Sequence, residues 1–429
     1  MPKRTSLCLF LALAFGSALP ATNYAAGTVE QSTPVIGRNV GELLEFAKAR
    51  SPSWRAAQAE AQAAAERVQP AGALPDPMFK VELMDITNMG ETGVQLSPAK
   101  VGSTQYTLSQ QIPFWGKRDL RRGQAEAEAR AATRTADGMW LELATEVKRT
   151  YAQYWLTDQN LRLTGEIQAL LGKMERVART RYASGLAAQQ DVIRAQVELT
   201  MVRQELVSLE SEQQGMKAML NGLIGRDAMA PLAQPDLRAA PPAERTQLTA
   251  LFDRLAAQNP ALAAERERVN AAEQGRALAA KNWYPDLNFG VTPVQRGNQV
   301  NEWQLMFEFN IPLQFESRRS QEREADRMLQ AARSRVEAAN SKLAGELGGA
   351  VAALNAARRT EHLIGDTLLA QSEATFEAAL AGYETGRVDF ATLLDAQRAI
   401  RKAKQDLYKA QAEQQLRLAD IERIVGDEL

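Results

Sequence analysis

Four stretches of the chain alternate apolar and polar residues with a period of two, which is typical of β-strands with one apolar and one polar face. The pattern predicts strands at residues 78–86, 104–112, 287–291 and 302–311. The second and fourth strands each run into an Ile-Pro pair, at residues 112–113 and 311–312, and a long helical pattern follows. Because proline has no amide hydrogen to continue the ladder, both strands should end at these pairs.

Long helices are predicted after each strand pair. Residues 118–180 and 317–380 contain no proline, and a continuous helix of that size would span about 90 Å. A seven-residue apolar repeat follows each stretch, which predicts helices in coiled-coil contact. The repeat consists of Val192, Ala195, Leu199, Val202, Leu206 and Leu209 in one helix and of Leu393, Ala396, Ile400, Ala403, Leu407 and Ala410 in the other.

The two halves of the chain resemble each other. The stretch "YASGLAAQQDVIRAQ" from Tyr182 aligns without gaps with "YETGRVDFATLLDAQ" from Tyr383, at a constant shift of 201 residues. We therefore expect two pseudo-repeats, each with the order helix, strand, strand, long helix, turn, helix. The predicted organisation is a signal peptide at 1–26, a first repeat at 27–224, a proline-rich connecting segment at 225–245 and a second repeat at 246–429.

The first residues have the composition of an export signal. Lys3 and Arg4 precede an apolar run at 7–15, and small residues follow, so cleavage is expected within residues 21–26. Cys8 is the only cysteine and lies within the signal, so the exported chain is expected to hold neither a disulfide nor a thiolate metal site. No later stretch of 18 apolar residues predicts a transmembrane helix.

Export and two-faced strands together favour a membrane β-barrel over an ordinary antiparallel sheet with one face on a core. Apolar side chains would then face lipid, and polar ones would face a water-filled lumen. Four strands are too few, because a membrane barrel needs at least about eight and an open edge in lipid leaves backbone groups unpaired. Several copies of the chain must therefore contribute strands to one barrel. The predicted fold class is an α+β membrane protein.

Charge and residue usage argue against several classes of function. Lys plus Arg total 51 and Asp plus Glu 52, so nucleic acid is not an expected partner. His362 is the only histidine and no glycine-rich phosphate loop follows a strand, so neither an enzyme nor a cofactor site is expected. Met78, Met84 and Met89 lie near the first strand pair, and their thioethers would suit Cu(I). Packing within the apolar alternation is the favoured interpretation of these methionines, and no resident metal is predicted.

Several motifs are similar to those of the TolC-like outer-membrane factor family. The stretch "GYETGRVDFATLLDAQRAIRKAKQDLYKAQ" at 382–411 resembles the turn and helix of that family's second repeat, and "AGALPDPMFKVEL" and "QQIPFWGKRDLR" resemble its heavy-metal branch. The resemblance implies a homotrimer in the outer membrane of a Gram-negative bacterium. Three chains would form a twelve-stranded β-barrel, continued by a periplasmic α-helical coiled-coil barrel. It also implies a periplasmic adaptor and an inner-membrane pump of the resistance-nodulation-division class as partners.

The two Tyr-x-x-Gly turns are the predicted contact with the adaptor. Tyr182 and Gly185 form one turn, and Tyr383 and Gly386 form the other. These are the points at which the long helices reverse far from the membrane, so a partner that spans the periplasm should meet them. The glycines should supply the backbone freedom that a tight helix–helix turn needs.

Two aspartates near the glycine turns are candidate pore residues. Asp191 and Asp395 each belong either to a solvated helix face or, in a symmetric trimer, to a ring of three carboxylates that attracts cations. The apolar positions around Asp395 pack in the heptad seam, so its side chain is free to face a lumen. The resemblance implies that Asp395 and Thr392 lie at a periplasmic constriction.

The resemblance also implies a contact that ties the inner helix pair to its neighbours. Tyr383 and Asp191 match two partners in that contact. The family's arginine there corresponds to Val388 in this chain, and Arg387 lies one position earlier.

The predicted function is that of the outer-membrane channel of a tripartite efflux pump, with heavy-metal cations as the exported substrate. One alternative is an outer-membrane duct for drugs or for type I polypeptide secretion. Another is a structural periplasmic coiled-coil protein without a pore. Detergent dependence separates these, because a pore should need detergent and form heat-stable oligomers, whereas a periplasmic rod should not.

Overall fold

The computed structural model describes residues 35–87, 90, 93–237 and 242–429. The predicted signal peptide at 1–26, Cys8 and Met89 lie outside these residues. In the first half, the described elements are α1 (Val40–Arg50), α2 (Pro52–Glu66), α3 (Val68–Gly72), β1 (Met78–Met84), β2 (Ser103–Ile112), α4 (Lys117–Ala183) and α5 (Gln189–Ile224). In the second half they are a 3₁₀ turn (Ala243–Thr246), α6 (Leu248–Gln258), α7 (Pro260–Lys281), β3 (Leu287–Arg296), β4 (Gln299–Phe309), α8 (Phe315–Leu363), a π-helical turn (Ile364–Leu368), α9 (Leu369–Glu384) and α10 (Phe390–Val425).

The four strands form one antiparallel sheet in the order β1-β2-β3-β4. Directly opposed residues in such a sheet point to the same side. The register therefore places a row of apolar side chains across all four strands. Neighbouring apolar residues on the same side of the sheet extend this row into an apolar face. This face carries Phe79, Val81, Leu83, Tyr106, Leu108, Ile112, Leu287, Phe289, Val291, Trp303, Leu305, Phe307 and Phe309. Leu305, on the edge strand, is 86% exposed in the single chain. The predicted two-faced alternation is confirmed.

Several of the predicted strand bounds are wrong. β1 ends at Met84 rather than at residue 86, and β4 begins at Gln299 rather than at residue 302. β3 continues to Arg296 rather than ending at Val291, although Pro293 lies inside it. The β2–β3 register passes from Gln105–Val294 to Leu108–Val291, around the proline that has no amide to donate. β4 ends at Phe309 rather than at residue 311, because its partner β3 begins at Leu287, directly opposite Phe309. The length of a strand thus depends on its neighbour as well as on its own pattern.

The methionines of β1 do not belong to the apolar alternation. Met78 and Met84 lie on the polar face, on the same side of the strand as Lys80 and Glu82. Packing within the apolar face, the interpretation favoured from the sequence, is therefore wrong for these two residues. The sulfur of Met84 accepts a hydrogen bond from the Gln105 side-chain amide at 3.1 Å.

An ion pair with a buried lysine joins the sheet to α4. Lys117, at the start of α4, is 4% exposed, and its Nζ lies 2.8 Å from an Asp286 carboxylate oxygen and 2.9 Å from the Tyr284 carbonyl oxygen. The same carboxylate oxygen of Asp286 accepts the amide of Phe114 at 2.9 Å. The Phe114 and Tyr284 rings stack at 4.4 Å. The first Ile-Pro pair therefore leads directly into a junction that connects the start of α4 to the segment before β3.

The helices are long, and one of them is interrupted. α4 has 67 residues, which corresponds to about 100 Å. The predicted continuous helix at 317–380 is instead divided into α8 and α9 by the π-helical turn around Gly365. A π-helical turn accommodates one extra residue, so it changes the face that the following helix presents. None of the helices within the described residues is long and apolar enough to cross a membrane.

Four helices form a hydrophobic core near the C-terminal end of α4, which is the end of that helix remote from the sheet. This tip cluster consists of Leu163, Ile167, Leu171, Met174, Ala178, Ala195, Val202, Ala379, Tyr383, Phe390, Leu393, Leu394 and Ala396. The heptad positions Ala195 and Leu393 are fully buried there, as the seven-residue repeat predicts. The tip cluster holds α4, α5, α9 and α10 together beside the two turns.

Candidate functional site

The two helix-reversing turns are built alike. Gly185 and Gly386 have φ angles of +72° and +73°. In both turns, the amide of the residue after the glycine donates to the carbonyl oxygen five residues earlier, at 2.8 Å. This is the hydrogen bond that closes a helix at a left-handed residue. The positive φ angles confirm that both positions use the backbone freedom of glycine.

Tyr182 and Tyr383 occupy the same position in the two turns but have different surroundings. Tyr182 is 46% exposed, whereas Tyr383 is 3% exposed and its ring lies 5.3 Å from the Phe390 ring. The Tyr383 hydroxyl is buried and has no hydrogen-bond partner among the described residues. Burial raises the pKa of Tyr383, the Asp191 carboxylate raises it further, and the Arg181 guanidinium lowers it. Of the two tyrosines, only Tyr182 presents its ring at the surface.

Arg181 connects the two turns, and the sequence analysis missed it. Its Nη1 donates to the Glu384 carbonyl oxygen at 2.7 Å, and its Nη2 lies 3.4 Å from the Leu186 carbonyl oxygen. Its guanidinium carbon is 5.1 Å from the centre of the Tyr383 ring. The position that the resemblance assigns to an arginine, Val388, holds none, and the structure supplies an arginine from the other turn. The signal was present in "RTRYASG", where a cation precedes the first turn's tyrosine.

The Asp191 carboxylate raises the pKa of the Tyr383 hydroxyl but does not accept a hydrogen bond from it. Partial burial raises the pKa of Asp191, and the nearby Asp389 carboxylate also raises it. Arg194 and Arg181 act in the opposite direction. The two residues that the resemblance pairs are therefore brought together, with Arg181 beside both.

Thr392 has a local structural contact. Its backbone amide and its hydroxyl both donate to an Asp389 carboxylate oxygen, at 2.9 and 2.6 Å. These two hydrogen bonds, that of the side chain first, hold the pKa of Asp389 below its usual value. The arrangement is a helix N-cap that starts α10. Asp389 was not selected from the sequence, although an aspartate three residues before a threonine at a helix start is a capping pattern.

Asp395 lies outside the heptad seam. Its side chain is 75% exposed, whereas Leu393 and Ala396 beside it are buried. Arg398 follows one helical turn later, and its Nη1 lies 3.5 Å from an Asp395 carboxylate oxygen. Asp395 and Arg194 line one groove between α5 and α10. The Asp395 carboxylate thus has cations of its own chain beside it.

The histidine and the acidic residues do not assemble a metal site in the described part of the chain. No group of three or more His, Cys, Asp or Glu residues there has the spacing to hold a metal ion. His362 is exposed on α8, and its Nδ1 lies 3.4 Å from an Asp366 carboxylate oxygen. Its side chain stands at the surface.

The comparisons with known proteins agree with this architecture. A profile of the family described as "Outer membrane efflux protein" matches residues 43–226 and 251–427. The cobalt-zinc-cadmium resistance protein CzcC of Cupriavidus metallidurans is 24% identical over 409 residues, which cover 92% of this chain and 94% of that protein. The pyoverdine export outer membrane protein OpmQ of Pseudomonas putida is also 24% identical over 409 residues, covering 87% of this chain and 82% of that protein.

A solved structure shows the same fold. The outer membrane protein VceC of Vibrio cholerae superposes with a TM-score of 0.77 and 18% identity, over 91% of this chain and 96% of that one. The family match covers most of the chain in two blocks, one in each half. The chain therefore belongs to the outer membrane efflux protein family, and it is an outer-membrane efflux channel protein that extends into the periplasm.

Proposed function

We propose that three copies of this chain close into one twelve-stranded barrel, which continues as a helical tube toward an adaptor and an inner-membrane pump. The observation that carries this proposal is the four-stranded sheet with an apolar outer face. Among the described residues, β1 pairs only with β2 and β4 pairs only with β3, so each of these two strands has one edge whose backbone groups pair with no other strand there. In lipid such edges need partners, and strands of other copies supply them. Family membership removes the alternative of a periplasmic rod without a pore.

The proposed division into a first repeat at 27–224, a connecting segment at 225–245 and a second repeat at 246–429 has support at two further glycines. Gly225 and Gly426 are separated by the same 201 residues as the turn glycines, and both have positive φ angles. A Cβ at Gly225 would lie 3.1 Å from the Arg50 carbonyl oxygen, and one at Gly426 would lie 2.7 Å from the Gln258 carbonyl oxygen. The end of the last helix in each half thus packs closely against the end of a short helix of the same half.

The turns that carry Tyr182, Gly185, Tyr383 and Gly386 are the proposed contact with the adaptor. The experiment replaces Gly185 and Gly386 by tryptophan and measures efflux, oligomeric state and cross-linking to the adaptor. Efflux and cross-linking should be lost while heat-stable trimers remain. Gly297→Trp is the matched control. Gly297 has a positive φ of +61°, as both turn glycines do, and open space around it, as Gly185 does, but it lies in the hairpin between β3 and β4. Normal adaptor cross-linking in the double variant would refute the contact.

Asp395 is the proposed pore-lining residue at the constriction, with Thr392, Asp191 and Tyr383 beside it at the tip. Three carboxylates around one axis attract cations into the tube and repel each other. Asp395→Ala should remove the block of purified channels by multivalent cations in planar bilayers, with little loss of folding. The same block and selectivity in the variant would show that Asp395 lies on a solvated outer face.

Heavy-metal cations are the proposed exported substrate, supported by the match to the cobalt-zinc-cadmium resistance protein. The equal identity to the pyoverdine exporter supports a second candidate, a small organic compound. Expression in a host that lacks its own channel distinguishes the two. Restored tolerance to cobalt, zinc or cadmium supports the first, and restored export of an organic substrate without metal tolerance supports the second.

A further inference from the structure

Arg398 contacts two carboxylates on two different helices. Its Nη2 donates to Glu198 of α5, and its Nη1 lies 3.5 Å from an oxygen of Asp395 on α10. The two acids differ in accessibility, since the Glu198 side chain is 11% exposed and that of Asp395 is 75% exposed. The buried partner holds the guanidinium in place, and the exposed partner is the one that water and ions can reach.

The groove that contains these residues is balanced in charge. Its ionisable side chains are Arg194, Glu198, Asp395 and Arg398, two cations and two anions. Removing the charge of Arg398 would leave each chain with one net negative charge at this level, and an assembly of three chains would have three. Because the Debye length is about 10 Å at 0.1 M salt, such a change acts over the width of a narrow constriction.

We propose that Arg398 determines the cation selectivity of the channel by dividing its charge between Glu198 and Asp395. This inference rests on the proposed function, in which Asp395 lines the pore. A cation that reaches Asp395 displaces Nη1 of Arg398, while Nη2 remains on Glu198, so the guanidinium stays beside the carboxylate and returns when the ion leaves. The competition weakens the binding of the ion, and conduction requires sites that an ion both enters and leaves. Arg398 is thus a specificity-determining residue that keeps the carboxylate ring from trapping its cargo.

The test measures reversal potentials and block by multivalent cations for purified channels in planar bilayers under a salt gradient. Arg398→Gln should raise the permeability ratio of cations to anions about threefold at low salt, because three uncompensated carboxylates then face the pore. Block should also occur at a lower concentration of multivalent cation. Glu198→Gln should act in the opposite direction, because it leaves the whole charge of Arg398 to Asp395.

Arg401→Gln is the matched control. Arg401 pairs with Glu205 and also joins α10 to α5, six residues or about 9 Å beyond Asp395. This variant loses a helix–helix ion pair of the same kind and leaves the contact between Arg398 and Asp395 intact, so its selectivity should change far less than that of Arg398→Gln. If Arg401→Gln changes selectivity as much as Arg398→Gln does, loosening of the helices explains both and the inference is wrong.

Asp395→Asn separates this inference from the proposed function. Unchanged selectivity in Asp395→Asn would show that the carboxylate is not in the pore, and the proposed constriction would be refuted. Lower selectivity in Asp395→Asn, with no rise in Arg398→Gln, would keep the constriction and refute the role of Arg398. Trimer recovery on native electrophoresis confirms folding for every variant.

Discussion

Replacing Arg181 by methionine should loosen the two turns from each other. Methionine keeps most of the apolar stem of arginine and removes the guanidinium, which contacts the carbonyl oxygens of Glu384 and Leu186 and the ring of Tyr383. The 2.7 Å hydrogen bond from a charged donor contributes about 1.5 kcal/mol at an exposed site. The contact with the ring adds about 0.5 kcal/mol, and the 3.4 Å contact adds little. The free energy required to open the turn that contains Gly386 should therefore be about 2 kcal/mol lower in the variant than in the parent.

Hydrogen exchange of backbone amides, followed by mass spectrometry of peptides, measures this opening directly. A loss of 2 kcal/mol corresponds to about a thirtyfold lower protection of the amides that close the two turns. The loss of protection should be confined to peptides around residues 184–190 and 384–390, because the tip cluster keeps the adjoining helices packed when the turns open.

Arg179→Met is the control for the loss of charge on the same helix. Arg179 is an exposed arginine two residues earlier, and it pairs within its own helix, with Glu175 at 2.5 Å. Its removal should leave the protection of both turns unchanged. Equal protection in Arg181→Met and the parent would refute the idea that Arg181 links the turns, and equal losses in the two variants would show that general electrostatics, rather than this contact, stabilises them.

Two further predictions concern the membrane face and the acidic side of the pH range. Phe307→Asp should destabilise the membrane-inserted form by about 1 to 3 kcal/mol, depending on the depth of the residue in the bilayer, as measured by refolding into lipid vesicles. Gln304→Asp, on the polar face, is the control and should destabilise that form far less. Equal losses of stability in the two variants would contradict the assignment of the faces. Burial raises the pKa of the Asp191 carboxyl above its ordinary 3.8. The folded protein therefore binds the proton of this carboxyl more tightly than the unfolded chain does. The stability that results is present below pH 3.8 and is lost as pH rises through the raised pKa. Asp191→Asn should therefore melt at a higher temperature than the parent at pH 7 and show a weaker dependence of melting temperature on pH in the acidic range; an unchanged pH profile would contradict it.

Much of the architecture follows from local patterns. Alternation with a period of two decides which side of a strand is apolar, whatever lies next to it, and the sheet places Phe79, Phe289 and Phe307 on one face as that pattern predicts. The heptad spacing decides which side of a helix is buried, and Leu393 and Ala396 lie in the seam while Asp395 does not. Glycine in a Tyr-x-x-Gly turn identifies a left-handed backbone position, because no other residue adopts it at so little cost.

Features that depend on contacts between distant segments were decided by the tertiary structure alone. Tyr182 and Tyr383 have the same local sequence position, yet only Tyr383 is buried, because Phe390 and Arg181 pack against it. The sharing of Arg398 between α5 and α10 depends on how closely two helices about 200 residues apart approach each other, and no spacing within either helix reports that distance. Strand ends depend in the same way on the length of the neighbouring strand, so β4 ends opposite Leu287. The sequence alone determines periodicity and backbone freedom, which are local properties, whereas burial, ion pairing and strand length are properties of a pair of segments and require both to be in place.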